Sequence, residues 1–168
     1  MIARPILGSS CARATSTAEM RYRIDRPIRG RNGARIVALD PGAEVIVARI
    51  SRERWGNARF LSLGGPVDDV GGSEAVPLCD SSGASSNLLA ELVDADVVIM
   101  VATTDADAAA ATVIGAACTV RAIMTAGLVI GPQSRIGAAV TALRPHARVL
   151  MVGGDERDVV DLLAALRA

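Results

Sequence analysis

The stretch Asp96-Val97-Val98-Ile99-Met100-Val101-Ala102 decides the fold. After its first residue it is apolar with no alternation. A strand with one wet face would alternate polar and apolar residues. A run apolar on both faces belongs to a central strand of a parallel sheet, covered by helices on each side. The next two segments agree: Asp105–Val120 is alanine-rich and reads as a helix, and Arg121–Ile130 is a second buried aliphatic run.

Outward from this segment the same alternation repeats. Arg35–Asp40, Ala58–Leu63 and Ala147–Val152 are short aliphatic strand candidates. Asp40-Pro41 reads as an N-cap with proline at the first helical position, opening a helix over 42–54. A strand over Glu44–Ile50 is the competing reading, because Val-Ile-Val favours β structure. Ser85 or Ser86 would cap a short helix carrying Leu88, Leu89 and Leu92. Ser134–Leu143 reads as a helix stopped by Arg144-Pro145, and Asp155–Ala168 as an amphipathic one. Gly64–Ser86 is glycine-rich and polar, the pattern of a loop or flap. Strands alternating with helices imply right-handed crossovers. The expected fold is therefore α/β, a three-layer Rossmann-like sandwich with a mostly parallel sheet of about five strands.

Composition narrows the chemistry. The 168 residues are 51% apolar, but thirty are alanine, and Phe60, Trp55 and Tyr22 are the only aromatic residues. Alanine adds little apolar area, so the core must rest on the Val, Ile and Leu of the strands. All 18 basic residues are arginine. No lysine is present to serve as a P-loop phosphate ligand, Schiff-base former or general base. One histidine, His146, and three widely spaced cysteines, Cys11, Cys79 and Cys118, give neither a metal-ligand spacing nor a disulfide framework. Cys79 in a polar loop would be a nucleophile only with a base beside it. His146, preceding a strand, belongs at the opposite end of the sheet and is expected to be exposed in a turn. Cys118 reads as a packing residue. No catalytic residue and no cofactor is assigned.

The zero net charge conceals an asymmetry. Residues 1–35 carry eight arginines and two acids, whereas the remainder is acidic by the same margin. Residues 1–34 read as a basic, flexible arm and residues 35–168 as one α/β domain. The arm could engage nucleic acid, lie on the acidic body of its own or another chain, or be inert. Without interleaved aromatic residues, base stacking is disfavoured. No stretch of 18 uncharged apolar residues exists, and no secretory signal is recognisable. The expectation is a cytoplasmic protein without a membrane segment.

In parallel α/β sheets ligands sit beyond the carboxyl ends of the strands. The candidate binding residues are therefore Asp40 and Gly42, then Thr103, Thr104, Asp105 and Asp107, and finally Gly153, Gly154 and Asp155. Hydroxyls and helix N-termini at these turns suit an anion. The acids beside them call for a divalent cation, or else simply cap helices. A G-x-G-x-x-G fingerprint does not occur at any of these turns, which removes the usual case for NAD.

In layout, residues 35–152 resemble the nucleotide-binding half of the FtsZ/tubulin family. Ala95–Ala102 is similar to the strand before that family's glycine-rich signature, and Arg121–Ile130 to the strand after it. The resemblance implies a guanine-nucleotide fold. Where the family wraps phosphates with glycines, this chain reads Thr103-Thr104-Asp105-Ala106-Asp107, without a glycine.

Two functions are compatible with this pattern. The first is a small-ligand or nucleotide-binding Rossmann-like domain, holding a nucleotide or small anion with a divalent cation at the strand ends. The second is a non-catalytic structural or assembly protein, forming a homo-oligomer with help from the basic arm.

Overall fold

The computed structural model describes residues 33–67 and 76–166. Residues 1–32, which include nearly all of the expected basic arm, lie outside the described residues. Gly33 and Ala34, placed in the arm from sequence, belong to the domain, because the first strand begins at Ala34.

Among the described residues seven strands form one sheet, not five. In chain order they are β1 (Ala34–Ala38), β2 (Ala58–Leu63), β3 (Pro77–Asp80), β4 (Ser85–Asn87), β5 (Val97–Ala102), β6 (Met124–Val129) and β7 (Val149–Val152). The spatial order is β4-β3-β2-β1-β5-β6-β7. Five strands, β2-β1-β5-β6-β7, are mutually parallel. The two unforeseen strands form a hairpin that pairs antiparallel with β2. They occupy the segment expected to be a loop or flap. Their sequences, PLCD and SSN, are too short and polar to announce themselves; register with β2 supplies what propensity does not.

The helices are α1 (Pro41–Ile50), α2 (Leu88–Leu92), α3 (Ala108–Val120), α4 (Gly137–Leu143) and α5 (Glu156–Leu166), with a 3-10 turn at Gln133–Arg135. The helical reading of 42–54 holds over the strand alternative, although the helix stops at Ile50, where the Trp55 indole N–H donates to the Ile50 carbonyl at 2.8 Å. Helix α2 is capped by Asn87, not by Ser85 or Ser86. Ser86 turns inward instead and donates to Glu91 at 2.7 Å.

Alternate residues of β1 and β5 face opposite layers. Ile36, Ala38, Ile99 and Val101 pack with Val47 and Ile50 of α1 and Val159 and Leu163 of α5. Val37, Leu39, Val98 and Met100 pack with α2, α3 and α4. Both central strands are buried throughout, as the uninterrupted apolar run required. Buried Ala110, Ala111 and Ala117 let α3 lie close on the aliphatic sheet.

One charge in the core offsets another. Arg35 of β1 and Glu91 of α2 are 6% and 4% exposed. The Arg35 Nε stands 3.3 Å from a Glu91 carboxylate oxygen and donates to the Glu91 carbonyl at 3.1 Å. Its Nη2 donates to the Asp94 carbonyl at 3.0 Å. Arg59 of β2 reaches the other Glu91 oxygen at 3.2 Å. The cluster fastens α2 and β4 beneath the amino ends of β1 and β2, opposite the strand ends where ligands are expected.

Candidate functional site

After β1 the chain moves outward to β2 and the hairpin, then returns to pair β5 on the other side of β1. This reversal makes the β1/β5 carboxyl ends the topological switch point, the customary ligand crevice of such sheets. Asp40 lies just beyond β1 and is 5% exposed.

Its carboxylate is fully engaged by the protein. Asp40 Oδ1 accepts from the Ala43 amide at 2.9 Å, the N-cap bond expected from sequence, and from the Thr103 hydroxyl. Oδ2 accepts from the Thr103 amide at 2.6 Å and the Thr104 amide at 3.1 Å. Burial alone would raise its pKa. The hydrogen bonds from Thr103, Ala43 and Thr104 outweigh that and hold the carboxyl below its ordinary value of 3.8. Asp40 thus ties the turn after β1 to the turn after β5, 63 residues further along the chain.

Gly42 is needed for this closeness. A Cβ there would fall 2.2 Å from Thr103 Oγ1 and 3.2 Å from Asp40 Oδ1. Thr104 turns its hydroxyl to the Ala106 amide at 3.3 Å. Asp105 accepts from the Ala139 amide at 2.8 Å. It thereby caps α4 from outside, a helix whose own cap residue, Ile136, has no acceptor side chain. Asp107 occupies the N-cap position of α3 but makes no capping bond.

The sequence candidates separate into two places. Asp40, Gly42, Thr103 and Thr104 come together at the switch point. Gly153, Gly154 and Asp155 follow β7, three strand spacings or about 14 Å from β1. There Asp155 and Asp158 form a reciprocal cap for α5. Asp155 accepts from the Arg157 amide at 2.8 Å, and Asp158 accepts from the Asp155 amide at 2.7 Å. Gly153 has φ +77°, and a Cβ on Gly154 would meet Asp158 at 2.4 Å, so both glycines serve this turn. Among the described residues, no three His, Cys, Asp or Glu side chains are grouped to hold a metal ion.

Cys79 and His146 stand at opposite sides of the sheet, on β3 and just before β7, about 24 Å apart by strand spacing. Cys79 lines a cleft of about 350 Å³ with Glu44, Phe60, Ser62 and Ser82. His146 is not simply exposed in a turn, as the sequence suggested. Its ring lies against Gly115 of α3, where an added Cβ would be 2.4 Å from the imidazole Cγ. Burial pushes the Cys118 thiol up to about 12, with Arg121 opposing weakly, consistent with a packing role.

One surface was missed from sequence. A groove of about 670 Å³ runs between α3 and α4, lined by Ala108, Thr112, Gly137, Ala138, Thr141 and His146. Neither helix contains a charged residue. That signal was present in the sequence: 108–120 and 137–143 are uncharged in a chain with 21% charged residues.

No protein-family model matches the sequence, and no curated protein or solved structure is significantly similar to it. Among the described residues no helix is long and apolar enough to cross a membrane.

Proposed function

We propose that this domain works by protein association, through the outward face of α3 and α4. The observation that carries the reading is the absence of charge on that exposed face. Thr112, Ala116, Thr119, Val120, Gly137, Ala138 and Thr141 are all exposed, and Val120 is 84% so. A surface helix ordinarily places charged residues on its wet side, and an uncharged face left open to water is the kind of surface that protein partners cover.

The switch point supports the same choice over nucleotide binding. A phosphate there needs free amide donors, and the Thr103, Thr104 and Ala43 amides already serve Asp40. A bound anion would have to displace a buried carboxylate and stand beside its charge. The likeness in layout to the FtsZ/tubulin family rests on the succession β5, α3, β6 and brings no phosphate loop with it. A second reading, small-molecule binding, is favoured by the cleft beside Cys79, whose volume falls at the lower end of ligand pockets.

The test sets the readings against each other. A photo-cross-linker at Thr112 or Thr141 should give a discrete protein adduct in cells, while one at Arg52 should not. Calorimetry with GTP, ATP, NAD and adenosyl-methionine should show no heat. Saturable nucleotide binding weakened tenfold by Thr104→Ala, with no adduct from Thr112, would overturn the association reading.

A further inference from the structure

We propose that the cleft at the amino ends of β6 and β7 binds a small monocarboxylate with an aliphatic body. Arg148 and His146 take the carboxylate, and Ala122, Ile123 and Met124 take the body. The site lies at the end of the sheet opposite the switch point. It does not depend on the association reading, although His146 borders both places.

Charge along the chain points to this end. Residues 108–154 contain four arginines and a histidine and not one acid, in a chain of zero net charge. Arg135 apart, these cations stand where α3 and α4 finish and β7 begins. Asp96, at the start of the neighbouring strand β5, turns its carboxylate toward β1 and accepts from the Gly33 amide at 3.3 Å. Two of the arginines serve helix ends. Arg121 donates to the Ala117 carbonyl at 3.1 Å, and Arg144 is the C-cap of α4. Arg148 has no such use. Among the described residues no carboxylate pairs with its guanidinium.

The same arginine lines a cleft of about 620 Å³, within the size range of ligand pockets. His146 and Thr119 line it too, with Thr119 Oγ1 3.4 Å from His146 Nδ1. The backbone that carries both cations is pinned to β6. The Thr125 hydroxyl donates to the His146 carbonyl, and the Arg148 amide donates to the Thr125 carbonyl at 2.9 Å. Their positions are therefore set before a ligand arrives. The rest of the lining is largely apolar. Met124 opens an otherwise buried strand, yet it is 42% exposed, an apolar side chain left to water beside two cations.

Ala122 adds a backbone observation. Its φ of +55° is the only positive value at a non-glycine position among the described residues. The Ala122 amide donates to the Thr119 carbonyl at 3.1 Å and the Ile123 amide to the Cys118 carbonyl at 3.0 Å. This helix stop favours glycine, which adopts the left-handed conformation without strain. The chain instead keeps a methyl group there, and that residue lines the cleft.

The lining selects the ligand class. A single free guanidinium beside the carbonyl end of α3 suits one negative charge. That end is the negative pole of the helix, so the further charges of a phosphate ester or triphosphate are opposed. The planar fork of arginine matches a carboxylate. With no aromatic residue in the lining, a nucleotide base has nothing on which to stack.

The test is an amide NMR titration of the full chain with sodium hexanoate. Shifts should cluster on residues 119–125 and 145–148 and saturate with a Kd of order 1 mM, as a ligand of this size allows. The neutral isostere hexanamide and inorganic phosphate should each bind at least about tenfold more weakly. Arg148→Gln, at an exposed position, should weaken hexanoate about tenfold, whereas Arg144→Gln, at the same end but outside the cleft, should stay within about twofold of wild type. Ala122→Gly should weaken binding about threefold while raising the urea midpoint, because it removes both the methyl group and the strain. No saturable shift by about 20 mM hexanoate, or equal binding of hexanamide, would overturn the proposal. So would indifference to Arg148→Gln, or an equal loss in Arg144→Gln, which would reduce the effect to a diffuse surface field. Tighter binding of phosphate than of hexanoate would overturn the ligand class.

Discussion

Removing the Asp40 carboxylate should cost more than the loss of one helix cap. In Asp40→Ala, the amides of Ala43, Thr103 and Thr104 and the Thr103 hydroxyl lose a buried acceptor together. An orphaned buried donor costs about 1–3 kcal/mol, and partial entry of water lowers the sum, so the expected loss is about 3–6 kcal/mol. That is a large share of the roughly 5–15 kcal/mol that stabilises an ordinary domain. Asp40→Asn should be milder. With its carbonyl toward the Thr103 and Thr104 amides, its NH₂ can donate to a rotated Thr103 hydroxyl. Only the Ala43 amide is then abandoned, at about 1–3 kcal/mol. The order wild type, Asn, Ala should emerge from urea unfolding followed through Trp55, the only tryptophan. Acid gives a second reading. The folded pKa of Asp40 is depressed, so its contribution is complete above the unfolded carboxylate pKa of about 3.9 and is lost as pH falls through the lower folded value. The gap between wild type and Asp40→Ala should therefore narrow from about pH 5 toward about pH 2.5. Asp40→Ala within about 0.5 kcal/mol of wild type at about pH 7, or a gap that widens in acid, would refute the account.

Three other outcomes are expected. Gly115→Ala gains helix propensity but drives its methyl group into the His146 ring; it should lose about 1–2 kcal/mol in urea unfolding, and adding His146→Ala should restore stability. Glu91→Gln strips Arg35 of its buried counter-charge and should cost about 3–5 kcal/mol. By contrast, Glu156→Gln, which breaks the exposed 2.5 Å pair with Arg49, should cost under about 1 kcal/mol by the same assay. Cys118, with its thiol pushed up to about 12, should resist alkylation at about pH 8 until the chain unfolds, and peptide mass mapping would show Cys79 modified before Cys118.

The readable part of the fold was the part written in local pattern. The continuous apolar run Val97–Ala102, the helix opening at Asp40-Pro41 and the alanine face of α3 each carry a short-range signature, and each stands where expected. The hairpin did not, because β3 and β4 are held by register with β2 rather than by their own residues. At the candidate site the acids were read from local spacing, and their distant partners were not. Asp40 and Asp105 were legible as caps, yet both reach beyond their own helices, to Thr103 and to Ala139. Those partners lie 63 and 34 residues away, a range at which spacing carries no information. The lone glycine inside α3 was a signal left unread, answered in space by His146.

The position of β1 in the sheet also governs the order in which the domain can be made. It precedes both of its neighbours in the chain, yet it is buried on both faces and flanked by β2 and β5. Its register partner in β2 is 24 residues later, Ala34 with Ala58, while its partner in β5 is 63 residues later, Ala34 with Val97. At about 5–20 residues per second, β1 must wait about 3–13 s for its second neighbour to leave the ribosome. During that interval an apolar strand with one free edge is exposed to other nascent chains, so the hazard to this protein is greatest before β5 has been translated.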